Sequence, residues 1–194
     1  MKSKLVYASV FGVALALAAG NFASAQPAGS MMKSEKTVMV GGAPMYPSKN
    51  IIQNAVNSKD HTTLVAAVKA ADLVDTLSGP GPFTVFAPTN EAFGKLPLGT
   101  VDTLVKPENK ATLTKILTYH VVAGRLSSAD LMKTAAMGKG KNTLKTVQGE
   151  TLTVSAKGGA VWLTDAKGGM SQVTIANVNQ SNGVIHVVDA VLMP

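Results

Sequence analysis

The chain of 194 residues contains no cysteine. That excludes disulfides, thiolate metal sites, cysteine nucleophiles and the lipidated cysteine of a bacterial lipoprotein. Histidine is scarce: His61, His120 and His186 stand far apart, and no His-Glu-x-x-His string or other metal-ligand spacing occurs. No Gly-x-Ser-x-Gly elbow is present, and the Gly-Gly pairs sit in turns with no helix after them, so neither a serine-hydrolase elbow nor a phosphate-cradling loop is written here. With one tryptophan and 5% aromatic residues, the chain lacks the stacking platforms of single-strand nucleic-acid binders. The reading is therefore no catalytic residues, no cofactor, no metal and no nucleic acid.

What is present is globular material, 46% hydrophobic and 15% charged, enough for one domain with its own core. Residues 1–25 read as a signal peptide. Lys2 and Lys4 give the positive start, Leu5–Ala19 the apolar run, and Ala23-Ser24-Ala25 a small-residue cleavage site before Gln26. No second apolar stretch is long enough to span a bilayer, so the mature chain is expected to be secreted or periplasmic, with no integral membrane segment. Losing Lys2 and Lys4 takes the formal charge from +7 to +5. Lys133, Lys139, Lys141 and Lys145 form a local basic cluster, read as a solvated loop, with an anionic glycan or lipid head group as the sharper option.

Residues 26–49 carry glycine, proline and Met31, Met32, Met39 and Met45 without a period, and read as a flexible arm ahead of a domain at 50–194. Methionine thioethers are soft ligands for Cu(I), which keeps open an alternative function as a periplasmic small-ligand or copper-handling protein. Ile51 through Leu77 is helical in pattern but changes face near Ala71-Asp72, which predicts two short helices. Leu113, Ile116, Leu117 and His120 then fall at i, i+3, i+4 and i+7, placing the imidazole on a buried face. Ser127 and Asp130 make a capping-box-like helix start. From Asn142 the period becomes two: Leu152, Val154 and Ala156, then Val161 and Leu163, then Val173 and Ile175 predict an antiparallel meander. Val184–Leu192 is nearly all apolar and predicts a central closing strand beside Phe83–Ala87.

Phe83–Phe93, FTVFAPTNEAF, reads as a buried strand, a turn at Pro88 and a short helix capped by Thr89 or Asn90. Together with ILTYHVV at 116–122 and NGVIHVVDAVLMP at 182–194, it resembles the fasciclin domain family, from about Asn50 onward. The resemblance implies an α+β fold in which antiparallel β-sheets form a wedge or sandwich, with several short helices packed at one side. It also implies a non-catalytic adhesion or interaction module, extracellular-matrix-like in role, binding another protein or a cell-surface glycan. The pair Tyr119-His120 matches a tyrosine-histidine pair implicated in family adhesion and folding. On that likeness Tyr119 is expected to supply contact surface and His120, being buried, to hold it in place.

Overall fold

The computed structural model describes residues 35–138 and 142–194. The expected signal peptide, Met31 and Met32 of the arm, and Lys139 and Lys141 of the basic cluster lie outside the described residues. Among the described residues, no helix is long and apolar enough to cross a membrane.

A small hairpin opens the described chain, β1 (Val38–Val40) paired with β2 (Ala43–Met45). For residues 38–45 the expectation of a flexible arm over 26–49 is corrected, since they form this paired hairpin. Gly41 and Gly42 both take positive φ, 57° and 74°, which lets a two-residue turn join the strands. Val40, Ala43 and Met45 are buried. A thioether committed to the core in this way is removed from any copper-binding arm.

Short helices follow. In α1 (Ile51–Ala55), Asn50 and Gln53 form a reciprocal capping box. Next come α2 (Thr62–Ala70) and α3 (Val74–Ser78), separated by the expected break, where Asp72 adopts φ 61°. Strand β3 (Phe83–Pro88) leads into α4 (Asn90–Gly94), whose N-cap Thr89 accepts from the Ala92 N–H. α5 (Thr100–Leu104) and α6 (Lys110–Tyr119) follow, then β4 (Val121–Ala123). Ser127 and Asp130 form the predicted capping box at the start of α7 (Ser128–Ala136). The rest is strand: β5 (Thr143–Lys145), β6 (Thr151–Lys157), β7 (Ala160–Thr164), β8 (Met170–Gln180) and β9 (Gly183–Val188).

Seven strands form one sheet in the order β4-β3-β9-β8-β7-β6-β5, antiparallel except where β3 and β9 run parallel. The sheet curls until its ends approach: the Val147 N–H reaches the Val121 carbonyl at 2.7 Å, and Val122 bridges Thr146. The wedge or sandwich of separate sheets is thus replaced by one nearly closed, barrel-like sheet. Helices are not confined to one side. Alternation along β3 and β9 sends Val85, Ala87, Ile185 and Val187 to a core shared with α1–α6. Phe86 and Val188 point the other way, into a second core with Leu131 of α7 and Leu152, Val154, Leu163 and Leu192. Ala156, expected inside with Leu152 and Val154, is exposed near the end of β6.

Candidate functional site

Tyr119 and His120 stand where α6 gives way to β4, between the two cores. His120 closes the helix, and its carbonyl accepts from the Phe86 N–H at 2.9 Å, tying the helix end to β3. Its imidazole spans two segments. Nδ1 lies 2.8 Å from the Ile116 carbonyl, and Nε2 lies 3.0 Å from the Leu192 amide nitrogen. A carbonyl can only accept and an amide N–H can only donate, so Nδ1 carries the proton and Nε2 the lone pair. Burial pushes the His120 pKa down to about 4, against the opposing pull of the Ile116 carbonyl and Asp165. The ring is neutral at physiological pH.

Tyr119 has no exposed surface. The expectation that it supplies a contact surface is therefore corrected: the phenol is an internal clamp. Its hydroxyl donates to the Thr151 carbonyl and accepts from the Ala166 N–H, both at 3.0 Å. Asp165, also buried, continues this network. It accepts from the Lys167 and Gly169 amides through Oδ1 and from the Met193 amide through Oδ2 at 2.9 Å. Tyr119, His120 and Asp165 thus fix the turn at residues 165–169 and the segment 190–193 against the sheet. Spacing alone hid Asp165; the Asp-x-x-Gly-Gly run at 165–169 was its available signal.

His186 is buried on β9 and stacks on Phe86 with ring centroids 5.8 Å apart. Here Nε2 donates to the Leu126 carbonyl at 2.8 Å, and Nδ1 accepts a longer bond from Asn177 at 3.4 Å. Asn177 sits in a register shift of β8 at φ 60°, and its amide holds Ser128 at the start of α7. His61 is different. Its Nδ1 pairs with the Ser58 hydroxyl at 2.8 Å, while Nε2 has no hydrogen-bond partner among the described residues. The ring borders an apolar cavity of about 40 Å³ beneath α1 and α2, lined among others by Val40, Ile51, Val68 and Ile185. Burial lowers the pKa of both His61 and His186.

The described surface also has an open polar cleft of about 520 Å³. It is bounded by the start of α1, the loop Ser78–Pro82, Arg125 and the β8–β9 turn at Ser181-Asn182. Asn182 assembles it: Oδ1 accepts from Ile51, and Nδ2 donates to the Leu77 and Gly79 carbonyls. Four distant stretches meet here, so reading along the chain could not find it. No group of three or more histidine and carboxylate side chains suited to a metal occurs among the described residues.

Comparison with known proteins matches the fasciclin domain model over residues 59–194. The chain is 46% identical over 164 residues to the protein sll1483 of Synechocystis sp., covering 84% of each. It is 37% identical over 145 residues to the cell surface glycolipoprotein MPB83 of Mycobacterium bovis, covering 72% of this chain and 58% of that one. Among solved structures, a FAS1 domain pair from the insect cell adhesion molecule fasciclin I superposes with a TM-score of 0.68 at 18% identity. That match covers 83% of this chain and 59% of the other. The chain belongs to the fasciclin domain family.

Proposed function

We propose that this protein is an exported fasciclin module that works by holding another macromolecule, a protein or a cell-surface glycan, without catalysis. The observation that carries this reading is the use made of the chemically capable side chains. Tyr119, His120, Asp165 and His186 all spend their polar atoms on backbone groups, so they shape loops rather than face a substrate. Tyr119 and His120 are positioning residues for the turn at 165–169 and the segment 190–193. The charged, apolar and small-residue order of residues 1–25 supports export, as does the likeness to a mycobacterial cell surface protein.

The test is retention of intact cells and envelope fractions on the immobilised full chain at physiological salt. Saturable retention competed by free protein is expected. A surface that retains neither overturns the reading. A second reading, handling of a small ligand, rests on the cavity beside His61 and its unpartnered Nε2. It predicts that a small apolar molecule moves the His61 ring resonances without moving those of His186.

A further inference from the structure

The cleft between α1, the Ser78–Pro82 loop and Arg125 is unusual in which hydrogen-bonding atoms it has left over. In the capping box, Asn50 Oδ1 accepts from the Gln53 N–H at 2.8 Å and Gln53 Oε1 accepts from the Asn50 N–H at 3.0 Å. Each side-chain oxygen is engaged within the box, and both amide NH₂ groups lack a partner among the described residues. Arg125 is fixed from one end only, its Nη2 donating to the Gln180 and Ser181 carbonyls at 2.9 and 3.3 Å. Nε and Nη1 make no bond to the described residues. The cleft therefore offers two amide donors and part of a guanidinium fork, with the Ser78 and Ser181 hydroxyls at its edge and no carboxylate among its lining residues.

A site that presents several donors, a guanidinium and no carboxylate selects an anion with several oxygens. We infer that this cleft binds a carboxylated saccharide, a uronate-bearing segment of an acidic polysaccharide, with the carboxylate on Arg125 and ring oxygens on the Asn50 and Gln53 amides. The inference rests on the interaction-module reading above and names the glycan class. A saccharide suits the site better than a peptide because no large apolar or aromatic side chain lines it, and protein partners gain most of their affinity from such anchors. Its volume falls in the range of ligand clefts, and the net positive charge of the chain favours approach of a polyanion.

The capping box supplies variants that keep the fold. Asn50→Asp and Gln53→Glu retain the oxygens that cap α1 but replace each donor with a negative acceptor. Titration of the full chain with a hexameric oligogalacturonate is expected to show saturable, salt-sensitive binding. Affinity should fall about tenfold or more in N50D/Q53E and also fall in Arg125→Lys, which keeps charge but loses the fork. Maltohexaose, the neutral control, should not bind. Absence of oligogalacturonate binding, equal affinity in N50D/Q53E at unchanged melting temperature, or preference for a polyglutamate peptide each overturns the assignment. Cell retention that survives in N50D/Q53E while oligogalacturonate binding is absent from the wild type removes the cleft and leaves the adhesion reading standing. Donor-dependent oligogalacturonate binding without cell retention does the reverse.

Discussion

The Nε2 of His120 receives the N–H of Leu192 across 72 positions of chain, at 3.0 Å in a fully buried setting. This bond requires a neutral ring, and the unfolded chain imposes no such requirement. Between the ordinary histidine value of 6.5 and the folded value of about 4, the unfolded state binds a proton that the folded state refuses. Stability is thus complete above the unfolded value, falls as pH drops through this window and levels off below the folded value. The loss from His120 is on the order of 3 kcal/mol. His61 and His186, shifted in the same direction, add to the slope. Urea midpoints measured at about pH 7 and about pH 5 are expected to drop markedly. A flat profile would show that the buried imidazoles titrate normally.

Tyr119→Phe removes one hydroxyl and strands two backbone groups, the Thr151 carbonyl and the Ala166 N–H. The expected cost is about 1–3 kcal/mol, with faster amide exchange concentrated at residues 165–169. Wild-type exchange in that turn would show that the phenol does not hold it.

Met45→Ala and Met39→Ala separate a core hairpin from a loose arm. Met45 is buried and Met39 is 58% exposed. Truncating the first is expected to cost about 2–5 kcal/mol and truncating the second almost nothing. Equal melting temperatures for the two variants would detach the hairpin from the fold.

Gly183 and Gly94 make an opposed pair. A Cβ on Gly183 would collide with the Phe83 backbone carbonyl in the parallel β3–β9 pairing, whereas a Cβ on Gly94 meets nothing within 4 Å. Gly183→Ala should therefore destabilise by about 2 kcal/mol or more, and Gly94→Ala, near the end of α4, should stabilise by up to about 1 kcal/mol. Chemical denaturation of both variants checks the pairing, since a harmless Gly183→Ala would contradict it.

Much of this architecture was legible in the sequence because it follows local period and caps. The strand–turn–helix at 83–94, the break at Asp72, the Ser127–Asp130 box and the burial of His120 all come from patterns within a few residues. Tyr119 escaped because its neighbours carry the helical stripe, and it turns into the second core only where α6 ends. The hairpin at 38–45 escaped because its strands are three residues each, too short to show alternation, although Gly41-Gly42 marked the turn. Alternation assigns faces but not curvature. One curled sheet instead of two therefore depends on the meeting of Val121 and Val147, which are set by the whole strand order. The cleft at Arg125 is likewise a product of tertiary assembly, since residues near 50, 80, 125 and 181 share it.

The parallel pairing of β3 with β9 brings residue 83 to residue 183, in the interior of the sheet and between both cores. A chain made from its N-terminus onward has β3 in hand long before its partner exists. Until residues 183–188 emerge from the ribosome, β3 lacks its parallel neighbour and neither core can close around it. Closure of both cores around β3 therefore waits on a strand that begins a hundred positions later in the chain.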